Sequence, residues 1–98
     1  MDMRSDIKMV EENGRGRYVV AMADGQEAYL TFRRDRENDL AIDYSFVPPN
    51  ARGRGVAAML ILRAVQDARE AGRRITPLCG YVAAEFRRHK QWADVLKA

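Results

Sequence analysis

Apolar side chains recur along this chain with two different periods, and the change from one to the other marks out the elements. Positions 7 to 11 alternate apolar and polar, positions 18 to 22 do so less cleanly, and Asn13-Gly14 between them is a turn signal, so a hairpin is predicted. Asp24-Gly25 supplies a second tight turn. Ala28, Leu30 and Phe32 then alternate with Tyr29 and Thr31 as a third strand. Positions 34 to 39 are wholly polar and read as a loop. Leu40, Ile42, Tyr44 and Phe46 next alternate with Ala41, Asp43, Ser45 and Val47, the period-2 pattern of a fourth strand with two distinct faces. Neither Pro48 nor Pro49 can donate to a ladder, so sheet pairing is expected to stop there.

The period then lengthens. From 56 to 71 apolar residues fall at 57, 60, 61, 64, 65, 68 and 71, with Arg63, Gln66, Asp67 and Glu70 on the other side, which predicts an amphipathic helix. Gly72 is placed to end it as a left-handed cap. Positions 73 to 79 read as a fifth strand, parallel to the fourth because a crossover helix joins them. A second helix after Gly80 carries Val82 and Phe86 on one side toward His89, and Trp92, Val95 and Leu96 follow on a final turn. The order β-β-β-β-α-β-α describes an α+β fold with a mixed sheet and a βαβ unit in its C-terminal half.

A chain of 98 residues with 47% hydrophobic and 32% charged residues is expected to form one domain, residues 1–98, with a packed core. The longest apolar stretch is far short of the roughly 20 residues of a membrane span, and positions 1 to 9 carry four charges with no apolar block, so a cytoplasmic protein without a signal peptide is expected. One cysteine forms no internal disulfide, and with a single histidine it builds no thiolate and imidazole zinc cage, so no metal is implied. The net charge is +3 and the pI about 9.4, with arginines in pairs along the chain. That composition permits a small basic nucleic-acid-binding domain, but interleaved Asp and Glu describe a solvated mixed surface, and no RNA-binding aromatic motif or helix-turn-helix is present.

The chemistry concentrates where the fourth strand meets the first helix. Arg52, Gly53, Arg54 and Gly55 stand directly before Val56 and Ala57. A helix start exposes unpartnered N–H groups and about half a positive charge, glycine permits close approach and positive φ, and arginine suits phosphate oxygens. Strand and loop order bring the ends of the fourth and fifth strands to one crevice, the place where βαβ units hold ligands.

Arg52-x-x-Gly55-x-Ala57 resembles the R/Q-x-x-G-x-G/A loop of the GNAT acetyltransferases, which holds the pyrophosphate of acetyl-CoA. One helix further on, Pro77-x-Cys79-x-Tyr81 resembles the P-x-C-x-Y/F motif of the very small, single-domain members of that family. The resemblance runs from about Tyr18 to Leu96. It implies an acetyl-CoA site made by Phe46, Val47, Arg52, Gly53, Arg54, Gly55, Val56, Ala57 and Tyr81, with the pantetheine arm between splayed strands and hydrogen-bonded by the backbone around Phe46 and Val47. It also implies transfer of acetyl to an amine, either directly or by way of Cys79.

Cys79 itself admits two readings. It lies between a strand and a helix start, where a thiol pKa falls and thiolate accumulates, or it is a small buried hydrophobe. His89 could act as a general base or complement a helix C-terminus. Relatives often follow the matching histidine with Pro where this chain has Lys90, so no role is carried over. Tyr81 and Tyr44 either line the thioester pocket or pack, and Trp92 reads as a core or interface anchor. Asp43 and Ser45 either face the acceptor or do not. The link between the first two strands is too short for the helices that wall the acceptor side in larger family members. That leaves three expectations: an acetyltransferase acting on an unidentified amine, a non-catalytic acyl-CoA sensor or adaptor, or, last, the basic nucleic-acid-binding domain. The working unit is expected to be a monomer or weak homodimer.

Overall fold

The structure, a computed structural model, describes residues 6–97. The expectation about a leading signal segment falls mostly on residues 1–5, outside that range. Five strands, β1 (Lys8–Glu12), β2 (Arg15–Ala21), β3 (Glu27–Arg34), β4 (Leu40–Phe46) and β5 (Ile75–Pro77), lie side by side in chain order. All neighbours are antiparallel except β4 and β5, which are parallel as expected and are joined by helix α1 (Val56–Ala71). Helix α2 (Gly80–Arg88) follows β5, and short 3-10 turns occupy Pro49–Ala51 and Lys90–Val95. No helix among the described residues is long and apolar enough to cross a membrane.

The β1–β2 hairpin extends further toward its turn than the apolar alternation suggested. Asn13 and Gly14 take φ of 56° and 76°, the two left-handed positions of a type I′ turn, whose twist matches that of the strands. The ladder therefore closes at Glu12 and Arg15, and the polar residues Arg15 to Arg17 become strand. The α1 boundaries are those expected. Its terminus is Gly72 at φ 69°, and Arg73 N–H reaches back to Ala68 O at 2.8 Å in the 6→1 pattern of a Schellman cap. That cap shortens β5 at its start, since Arg73 belongs to the helix end. At its other end Pro77 donates no hydrogen bond, so the expected seven-residue strand becomes three.

The inner face of the sheet is covered by α1, whose Leu60, Ile61, Ala64 and Val65 are fully buried, each large side chain contributing about 2 kcal/mol. Val82 and Phe86 of α2, with Trp92 and Val95, complete the same core, and Phe86 meets Trp92 edge-on at 5.5 Å.

One feature of β4 departs from the simple alternation. Thr31 pairs with Tyr44 and Phe32 with Ile42, so Asp43 is an extra residue without a partner, a β-bulge. The bulge reverses the facing of everything after it. Leu40 and Ile42 face the core, but Tyr44 and Phe46 face outward, and Ser45, opposite buried Leu30, takes the inner side. The four apolar residues that alternate along this strand thus divide between the two faces.

Candidate functional site at the end of the fourth strand

β5 accompanies β4 only from Leu40 to Ile42. Leu78 and Cys79 N–H both donate to Ile42 O, at 2.9 and 3.1 Å, and the chain then turns into α2. From Asp43 to Phe46 no strand follows along that edge of β4 among the described residues. The gap continues into a cavity of about 420 Å³ lined by Tyr44, Ser45, Phe46, Val47, Ala51, Arg52, Gly53, Gly55, Val56, Ala57 and Tyr81. Because Tyr44 faces outward and Ser45 inward, the cavity passes through the split in the sheet.

The loop from Val47 to Gly55 is braced from within. Ala51 is buried under it, Arg52 Nε–H donates to Val47 O at 2.9 Å, and Asn50 Nδ2–H donates to Asp24 at 2.8 Å, tying the loop to the β2–β3 turn. Gly53 and Gly55 have φ of 82° and 76°, with open space where a Cβ would stand. Backbone conformation rather than crowding demands glycine at both. Gly55 caps α1 without any side-chain hydrogen bond, and the first turn of α1 carries no acidic residue. The first helical hydrogen bond is that of Met59 N–H to Gly55 O, so the amides of Val56, Ala57 and Ala58 precede it. Arg52 and Arg54 are exposed, and neither forms an ion pair among the described residues.

Cys79 caps α2 and is partly exposed. It does not line the cavity, but its Sγ lies 3.4 Å from Ser45 Oγ, which does. Burial pushes the Cys79 thiol up, yet hydrogen bonding from Ser45 and from the Val82 and Tyr81 amides outweighs it, so the thiol is held below its ordinary value. The partner of the thiol, Ser45, is placed by the bulge.

Of the residues expected to hold a coenzyme, Phe46, Val47, Arg52, Gly53, Gly55, Val56, Ala57 and Tyr81 come together around the cavity. Arg54 is not part of the lining, and Tyr44, Ser45 and Ala51 join it. His89 lies elsewhere. It ends α2, stacks on Trp92 at 4.1 Å and approaches Glu85 at 3.6 Å. At the opposite end of β4, Asp35, Glu37 and Asp39 gather their carboxylates, and Lys97 Nζ donates to all three at 2.9, 2.6 and 3.0 Å. That acidic group is occupied by an ammonium ion of the chain itself.

A five-stranded mixed sheet opening between its parallel strands, with a glycine-arginine loop feeding the crossover helix there, is the GNAT fold. It superposes on the solution structure of a GCN5-like protein from Staphylococcus aureus with a TM-score of 0.67 at 18% identity, over 96% of this chain and 91% of that one. The family model of the GCN5-related N-acetyl-transferases matches residues 17–95, and the chain belongs to that family. No curated protein matches the sequence.

Proposed function

We propose that the protein is an N-acetyltransferase that takes acetyl from acetyl-CoA and passes it to an amine. One observation carries this reading: the uncapped start of α1, two arginines without ion partners among the described residues and a cavity converge where β4 loses its neighbour. The donors fit the coenzyme. The amides of Gly53, Gly55, Val56 and Ala57, with the guanidinium groups of Arg52 and Arg54, suit a pyrophosphate. The gap beside Phe46 and Val47 suits a narrow arm rich in amides, because β4 offers it backbone groups that no strand uses. Bound there, acetyl-CoA supplies an acetyl group already activated as a thioester.

The remaining work belongs to the chain. The β4 edge and Tyr81 hold the reacting carbon in place and keep water from it, which lowers the entropic barrier to attack. A backbone N–H of that edge would stabilise the oxyanion. The Cys79 thiol, with its proton loosened by Ser45 and two amides, is the nucleophile of this chain best suited to carry acetyl to the amine.

A second reading, an acyl-CoA sensor without turnover, is favoured by the outer face of β1 to β4, over which no helix lies among the described residues. Native and denaturing mass spectrometry after addition of acetyl-CoA separates the readings. A one-to-one complex, with one acetyl mass surviving denaturation on Cys79 and lost in Cys79→Ala, is the expected result. A complex with no acetylated cysteine and no amine turnover would leave the sensor, and no complex at millimolar coenzyme would sink both.

A further inference from the structure

The outer side of the cavity mouth is aromatic. Tyr29 stands 6.1 Å from Tyr44 and 5.6 Å from Phe46, ring centre to ring centre, with each pair tilted. Tyr44 is 51% exposed, and Tyr81, 48% exposed, lines the same cavity. Beside Tyr44 lies the exposed carboxylate of Asp43, whose Oδ1 accepts a hydrogen bond from Thr31 Oγ1 at 2.6 Å. Asp43 has no cationic partner among the described residues. The bulge assembles this rim. In a regular strand Tyr44 would point into the core; the extra residue instead puts Asp43 and Tyr44 on the same outer face, next to Thr31.

Exposed aromatic faces beside a fixed carboxylate attract ammonium ions. Cations share this outer face: Arg17, opposite Thr31, is paired with Glu27 at 3.9 Å, and Arg33 with Arg15 opposite it lies one row further on, while Arg52 and Arg54 serve the coenzyme under the proposed function. A nitrogen held as ammonium has no lone pair and does not attack a thioester. An acceptor that uses this rim therefore needs two nitrogens, one anchored as a cation and one delivered neutral to the gap.

We propose that the Asp43–Tyr44 rim is the acceptor site and that it selects small aliphatic diamines and polyamines. The inference rests on the acetyltransferase reading for its chemistry and on the bulge for its binding geometry. With acetyl-CoA present, kcat/KM for 1,4-diaminobutane should exceed that for n-butylamine and for 4-aminobutyrate by about tenfold or more. Asp43→Asn keeps the acceptor oxygen for Thr31 and should lower the diamine value about tenfold through KM, with the n-butylamine value within twofold and acetyl-CoA affinity unchanged. Equal effects on both amines, or equal use of all three amines by the wild type, would overturn it. A second measurement needs no turnover. Titration with tetramethylammonium, with and without coenzyme, should shift the Tyr44 ring signals at millimolar concentration, and Asp43→Asn should weaken the shift. A wild-type protein that binds acetyl-CoA but shows no such shift would refute the rim and spare the coenzyme site; a shift without coenzyme binding would do the reverse.

Discussion

The two ends of β4 are built from similar residues and handle charge in opposite ways. At its start, the carboxylates of Asp35, Glu37 and Asp39 are answered by Lys97. Asp39 is 6% exposed and accepts hydrogen bonds from Arg74 N–H at 2.8 Å and Lys97 Nζ at 3.0 Å, while Arg73 donates to Glu37 O and Lys97 N–H to Ile75 O. At its far end, Arg52, Arg54 and three helical amides have no anion, and Asp43 has no cation, among the described residues. Satisfied charges at one end lock β4, β5 and the chain's last described residues together. Unsatisfied ones at the other leave binding energy for something outside the chain. Under the proposed function, stability and function thus occupy opposite ends of one strand.

Substitutions at either end test this division. The largest expected effect is on the coenzyme. Arg52→Ala with Arg54→Ala should weaken acetyl-CoA binding about 100-fold, roughly tenfold for each lost charge-assisted contact, with little change in Tm. Calorimetry and thermal melts on the same samples would break the comparison if Tm fell as far as affinity.

Lys97→Met should do the opposite, lowering Tm and leaving acetyl-CoA affinity unchanged, because it leaves three carboxylates crowded without their cation. Its pH dependence follows from the shifts. Asp39 is held below its ordinary value of 3.8 by Arg74 N–H and Lys97, and Asp35 likewise by Lys97 and the Asp39 backbone. Carboxylates with depressed values stabilise the fold above their ordinary range, and that stabilisation is lost as pH falls through the depressed values. Lys97 is raised by Glu37, Asp35 and Asp39, so its own contribution persists through neutral pH and fades only in strong alkali. Wild type and variant should therefore differ most near neutrality and converge once pH falls below the depressed carboxylate values, as read in denaturation curves. A difference that stayed constant into acid would show that the ion cluster is not its source.

The smallest effect concerns the thiol. The rate of Cys79 alkylation should rise with pH through a midpoint below that of an ordinary cysteine, and Ser45→Ala should move the midpoint upward by removing a hydrogen bond to the thiolate. An unmoved midpoint would assign the shift to the α2 amides alone.

Local chemistry made some of this legible. Asn13-Gly14, Gly72 and the 56–71 periodicity specify a turn, a cap and a helix through interactions within a few residues, and each occurs where expected. The loop residues around the cavity were legible for the same reason, since Gly55 and the helix start are neighbours in sequence. The bulge was not. An extra residue in β4 is visible only against the register of β3, and it carried Tyr44 and Phe46 to the face opposite Leu40 and Ile42. The length of β5 was equally hidden, because a Schellman cap and Pro77 consumed its ends.

The sequence by itself determined the elements, the order of strands and the glycine-arginine loop, because periodicity, turn geometry and helix termini act over a turn or two of chain. Only the tertiary structure decided which side chains share a site. Ser45 meets Cys79 across 34 positions, and Lys97 meets Asp35 across 62. Such pairings depend on strand register and on where a ladder stops, which is settled when whole surfaces pack rather than by any one segment.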